Sequence, residues 1–429
     1  MIKLMMVALL TLMGLGVANA QAAASPVGQD IYIGSRYVLQ SEVLTEAREI
    51  TVSLPEGYET SGKAYPVVYV FHGQFYFQYG VAYTRLLARR GLMPQAIVVG
   101  VSLGQADGTS GRNDNQYMGH GAPETDIFLD FIEKDVFGFV ESEFRTLAHR
   151  SIVGWHYSAS LSLRALVYRP AMFDGYVAAS PFPLQSDQID FTAAKALLAA
   201  TPGKTLSFYF GINPRERFSY DEVRKLETKL KETAPEGFNW FYNDLPAEEA
   251  EANTDSVYRL MHPGLRMIFA DFSLPVFPTY EDFKEKGGLP SLKTFMAHRA
   301  EKYGVSPKFD AGDAFGVLRM AMAGNDFPLF DAVLTDVDMR AAHFNVSWNL
   351  RYAAFYLKHQ KTAQSIAFYQ WIVTDYPQSV SAQLGLAEAF VSADQKAKAA
   401  AAYTAAISLA EAQNDQRLED LRKSLAALQ

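Results

Sequence analysis

The segment from Arg150 to Leu166 restricts the fold more than any other part of the chain. Ser151-Ile152-Val153-Gly154-Trp155 reads as a short buried strand, and it runs through His156-Tyr157-Ser158-Ala159 straight into a helical stretch, Leu161 to Tyr168. With no loop between the two elements the backbone must turn sharply. Gly154, two residues before His156, and Ser158, two after, are small enough for strand and helix to close on each other there, and His is one of the few non-glycine types enriched at positive φ.

The surroundings of this elbow have one rhythm. From about Arg48 to Phe272 short β-branched or aromatic runs alternate with helical stretches, which predicts βαβ units and an α/β domain with a mostly parallel sheet. The expected strands are Ile50 to Leu54, Pro66 to Phe71, Ala96 to Val101, Ser151 to Trp155, Tyr176 to Ala179, Thr205 to Phe210 and Asn239 to Tyr242; several are apolar throughout, as strands covered on both faces are. Helices are expected at Thr125 to Ser142 and Tyr220 to Glu232, and the Gly-, Asn- and Asp-rich stretch from Gly104 to Gly121 reads as a substrate-facing loop.

Past Phe272 the chain changes character. Pro275, Pro278, Gly287, Gly288 and Pro290 mark a linker, and the rest is helical. Ala353, Ala363 and Tyr369 recur 34 residues later as Ala387, Ala397 and Tyr403, the period of a tetratricopeptide-type helical hairpin, which presents a face for protein or peptide contact. The expected organisation is a signal peptide over 1–20, an α/β domain over 21–275, a linker and helical region over 276–344, and helical repeats over 345–429.

The signal-peptide expectation rests on Met1-Ile2-Lys3, an apolar run from Leu4 to Val17, and Ala18-Asn19-Ala20 before Gln21. It predicts an exported protein, periplasmic or secreted. The remaining residues contain no run long enough for a bilayer, so no membrane span is expected. With no cysteine there is neither disulfide nor thiolate chemistry, and a net charge of −8 argues against nucleic acid, whose binders need clustered Lys and Arg. The eight histidines are scattered, so neither a metal site nor a cofactor is expected.

Several stretches taken together carry a resemblance: Tyr65-Pro66-Val67-Val68-Tyr69-Val70-Phe71-His72-Gly73-Gln74, the elbow, Arg169-Pro170 to Gly175-Tyr176, and Ser180-Pro181. These resemble the bacterial putative-esterase family that includes the enterochelin esterases. The tail, through Tyr303-Gly304, Tyr376-Pro377-Gln378-Ser379 and Tyr403, resembles members with an appended tetratricopeptide region. The resemblance implies the α/β-hydrolase fold and a Gly-x-Ser-x-Gly-Gly elbow, whose serine is activated by a histidine and an acid beside an oxyanion hole.

His156 stands at the position of that serine. Asn253 and Thr254 stand where the catalytic histidine would be, and neither side chain titrates near neutral pH. Glu216, between Arg215 and Arg217, is the candidate acid, with a solvated ion pair as its structural alternative; Gly73, Gln74 and the N–H of Tyr157 are the candidate oxyanion and pocket groups. Loss of nucleophile and base together predicts a pseudoenzyme that binds a small ester or a peptide in its pocket, or a protein through its helical tail. The alternative is a serine ester hydrolase with a non-standard triad, using Ser158 or Ser160 with His156 as the base.

Overall fold

The computed structural model describes residues 31–105, 126–246, 255–340, 342 and 344–428, and Gly34–Gln429 forms one compact unit. Residues 1–20, most of the loop from Gly104 to Gly121, and Asn253 and Thr254 lie outside the described residues.

Eight strands form one sheet: β1 (Ser35–Gln40), β2 (Ala47–Ser53), β3 (Tyr65–Phe71), β4 (Ile97–Gln105), β5 (Thr146–Trp155), β6 (Gly175–Ala179), β7 (Leu206–Ile212) and β8 (Phe238–Asp244). Their order is β1-β2-β4-β3-β5-β6-β7-β8, antiparallel at the β1/β2 and β2/β4 pairs and parallel from β4 to β8. Every expected strand is present. The sequence reading missed β1, whose Ser-Arg-Tyr-Val-Leu-Gln run alternates between half-buried and exposed residues at the open edge.

All of β3 is buried because the sheet is covered on both faces. Val67, Tyr69 and Phe71 point into one core, and Val68 and Val70 into the other. On the second face lie α1 (Gly73–Arg89), through Tyr76, Phe77, Val81 and Leu87, and α4 (Asp255–Ile268), through Val257, Leu260, Met261 and Leu265. The first face carries α2 (Tyr157–Tyr168) and α3 (Arg217–Thr233), with the helical stretches Ile127–Phe131 and Phe137–Glu143 joined by a π turn at Ile132–Val136.

The tail begins at the amino ends of the strands, opposite the elbow. On α5 (Gly288–Tyr303), Tyr303 is buried in the second core beside His149 and Phe269, and its hydroxyl donates to Asp271 at 2.6 Å. Arg299, buried on the same helix, is paired with Asp313 at 2.7 Å. A buried hydrogen bond to a carboxylate contributes about 1.5 kcal/mol net. Tyr303→Phe is therefore expected to lower stability by about that amount, read as a lower urea midpoint with the fold retained.

The helices that follow are hairpins: α6 (Ala311–Ala323) with α7 (Phe327–Asp336), α8 (Val346–Lys358) with α9 (Thr362–Asp375), and α10 (Val380–Ser392) with α11 (Lys396–Gln413), closed by α12 (Leu418–Ala426). The first helices start at 311, 346 and 380, intervals of 35 and 34. The turns carry Asn325, Gln360 and Asp394 at φ between 51° and 59°, at the same intervals. The spacing therefore extends one hairpin earlier than residue identities suggested. Gly385 is needed where hairpins meet, since a Cβ there would lie 2.3 Å from the Tyr369 ring.

Candidate active-site cleft

At the carboxyl ends of three adjacent strands, β3, β5 and β6, stand His72, His156 and Ser180, with φ of 56°, 54° and 50°. Such values cost of order 1 kcal/mol or more for residues with a Cβ, and they gather where a side chain must be aimed into a cleft. His156, at φ 54° and ψ −116°, caps α2. Its N–H donates to the Ala179 carbonyl at 3.0 Å, and its own carbonyl accepts from Ala159 and Phe182. Gly154 is obligatory, because a Cβ there would lie 2.3 Å from the Ser158 carbonyl oxygen. The chain thus turns at His156 with the tight strand-to-helix approach anticipated from its sequence.

Both alternative serines are committed elsewhere. Ser158 is fully buried. Its hydroxyl donates to the Trp155 carbonyl at 2.9 Å, accepts the Trp155 N–H at 2.9 Å, and lies 3.0 Å from His72 Nδ1. The one hydroxyl proton is shared between two acceptors: when it is on the Trp155 carbonyl, His72 Nδ1 is the donor to Ser158. Ser160, also buried, donates to the Pro183 carbonyl at 2.7 Å.

Burial, reinforced by His156, pushes the His72 imidazole down to about 4, and burial also lowers His156, so both rings are neutral at pH 7. The ring of His156 lies 4.6 Å from Tyr157, 4.9 Å from Phe182 and 5.4 Å from Trp155. Trp155 continues the aromatic lining to His72 and Tyr76, and Tyr76 to Tyr258, which packs on Tyr79. Phe75 and Tyr79 are exposed on α1, an apolar approach to this lining. None of these aromatics except Trp155 and Tyr157 adjoins the elbow in sequence; the Phe75-Tyr76-Phe77 run directly after β3 was the available signal.

Glu216 follows β7 and precedes α3. The solvated ion pair considered for it is absent: the side chain is 1% exposed and neither carboxylate oxygen has a hydrogen-bond partner of good geometry. Burial raises its pKa to about 7, with the Ser180 hydroxyl beside it acting in the other direction. It lies within electrostatic reach of Tyr76, whose ring belongs to the same aromatic lining. Gly73 and Gln74 open α1 and Tyr157 opens α2, so their N–H groups belong to first turns, where intrahelical acceptors are lacking. The Gln74 amide is clamped to the end of β4, donating to the Leu103 carbonyl at 3.0 Å and accepting its N–H at 3.2 Å. Gly73 permits close contact with β4, where a Cβ would lie 2.7 Å from Gly100. The positions of Asn253 and Thr254, just before α4, are outside the described residues, and among the described residues no cluster of three His, Asp or Glu side chains could hold a metal.

Residues 41–236 match the family described as Putative esterase. Over these residues, just under half of the chain, it is similar to that family. A 66-residue stretch of the chain is 42% identical to the siderophore triacetylfusarinine C esterase of Aspergillus fumigatus, covering 15% of this chain and 22% of that protein. The chain therefore spans about a fifth of the length of the curated relative it matches. An uncharacterised protein from Capnocytophaga ochracea superposes with a TM-score of 0.56 at 16% identity, over 91% of this chain and 99% of that one, so the shared fold reaches beyond residues 41–236 into the helical tail. An IroE-like serine hydrolase from Shewanella oneidensis has a TM-score of 0.49 at 22% identity, over 70% and 98% of the two chains.

Proposed function

We propose that this esterase-family protein has kept the family's cleft for binding and lost hydrolysis. The observation that carries this reading is the elbow: His156 occupies the strained turn, while the Ser158 and Ser160 hydroxyls are buried and bound to main-chain groups. Acyl transfer needs an oxygen nucleophile that gives up its proton to a base as it attacks. The aromatic lining and the neutral imidazoles suit an uncharged or aromatic ester, held with its carbonyl toward the N–H groups of Gly73, Gln74 and Tyr157. Siderophore esters, the class named for the Aspergillus relative, are the first ligands to test.

The same reading includes export through residues 1–20 and a tetratricopeptide-type tail as a second contact surface, supported by the Ala18-Asn19-Ala20 pattern and the hairpin intervals. Similarity to the esterase family favours the second reading, an active ester hydrolase using Ser158 or Ser160 with His156. It requires Ser158 to leave three partners before it can react.

A fluorophosphonate probe separates the two. The purified protein is expected to take no label and to hydrolyse p-nitrophenyl butyrate no faster than buffer. Labelling abolished by Ser158→Ala or Ser160→Ala would overturn the binding-protein reading in favour of the hydrolase.

A further inference from the structure

Arg319 on α6 and Arg351 on α8 are exposed and form no ion pair among the described residues. Many other arginines of this acidic chain meet carboxylates: Arg150 meets Glu141, Arg164 meets Asp126, Arg169 meets Asp130, Arg224 meets Asp244, and Arg422 meets Glu411. At Arg319 and Arg351 rings take the place of acids. The Arg319 guanidinium lies 5.7 Å from the centroids of both Phe315 and Trp348, and that of Arg351 lies 4.6 Å from Trp348. Phe315 and Trp348 meet edge-on at 5.0 Å, joining the first helices of two consecutive hairpins. Stacking occupies the face of a guanidinium and leaves its N–H edge free for a carboxylate, which it can grip with two parallel bonds.

A cavity of about 280 Å³ opens along the same helix, lined by Leu274, Val276, Phe277, Leu292, Val317 and Met320. Gly312 and Gly316, on the turns leading to Arg319, also line it, as does Asp313, whose charge is met by Arg299. A Cβ at Gly316 would meet nothing within 4 Å, so packing inside the protein does not require glycine there, although glycine weakens a helix.

We propose that this part of the tail binds an acidic segment of a partner protein, with carboxylates gripped by Arg319 and Arg351 around Trp348 and an apolar side chain of the same segment seated in the cavity along α6. Charge complementarity selects the occupant. A chain of net charge −8 repels acidic peptides at long range, so binding of one must come from a local cationic site. The site is on the tail and does not depend on the chemistry of the elbow.

The test uses the full chain and the fluorescein-labelled peptide Glu-Asp-Leu-Glu-Asp-Leu-Glu-Asp, read by fluorescence anisotropy at low salt. Saturable binding is expected, weakened at least about tenfold by replacing every acid of the peptide with its amide, or by Arg319→Ala with Arg351→Ala, and weakened further by added salt. Gly316→Leu, which fills the cavity and touches no charge, is expected to weaken binding several-fold, whereas Arg422→Ala, an exposed arginine already paired, is expected to leave it unchanged. If the double alanine variant melts early, Arg319→Lys with Arg351→Lys keeps both charges, removes the planar fork, and is expected to weaken binding several-fold. Absence of binding by the parent, equal binding of acid and amide peptides, or binding unaffected by the arginine variants would each overturn the proposal. Self-association lost in the same variants would also overturn it, by making a second copy the occupant.

Discussion

A protein carrying both His156→Ser and Asn253→His is expected to take a fluorophosphonate label and to hydrolyse p-nitrophenyl butyrate about 10²- to 10⁴-fold faster than its parent, the range over which triad members act as a unit. The reasons lie at the carboxyl ends of the central strands. The backbone at His156 already has φ 54° and ψ −116°, and the neighbouring strand end holds Ser180 at φ 50°, so a serine is already accommodated at positive φ beside it. Gly154 and Ser158 already satisfy the close approach, and Glu216 already follows β7 with an unsatisfied carboxylate. Either substitution alone supplies a nucleophile without a base, or a base without a nucleophile, and is expected to stay near the parent. A double variant that folds with the parental circular dichroism spectrum and takes no label would show that the base does not belong at Asn253 or that Glu216 cannot orient it.

The second large effect concerns pH. Glu216 has a pKa of about 7 in the folded protein, against 4.5 for an ordinary glutamate. Between those values the native state holds a proton that the unfolded state has released, so stability falls as pH rises through this window. At about 1.4 kcal/mol per pH unit the whole difference amounts to about 3 kcal/mol above pH 7, and none of it is lost below 4.5. Glu216→Gln removes the ionisation. Its urea midpoint is expected to match the parent's near pH 4.5 and to exceed it by a growing margin up to about pH 8. A constant gap between the two proteins across that range would mean that Glu216 does not titrate in the window.

Much of the fold was legible because it rests on local patterns. Apolar runs such as Tyr65–Phe71 and Leu206–Ile212, bounded by turns, can be little else than doubly covered strands. The Gly154, His156, Ser158 spacing was readable for the same reason, since the steric demand of the turn falls on neighbours in sequence. The rest depended on contacts between distant residues. Sequence proximity pairs Ser158 with His156, but the ring nitrogen against its hydroxyl belongs to His72, 86 residues away. Glu216 between two arginines reads as a surface ion pair, but the start of α3 turns its carboxylate inward. The hairpin at Ala311–Asp336 escaped because its turn residue Asn325 shares a backbone conformation, and not a residue type, with Gln360 and Asp394.

The left-handed residues at the ends of β3, β5 and β6 have a kinetic consequence. Strain of this kind persists only where surrounding structure leaves the backbone no alternative, and here Gly154, the His156 main-chain bonds and the Ser158 hydroxyl all fix the same few peptides. The backbone at these strand ends is consequently fixed in the free protein. If the proposed ligand binds there, its association has no rearrangement of these peptides to wait for, and differences in affinity among ligands are expected in how long each one stays.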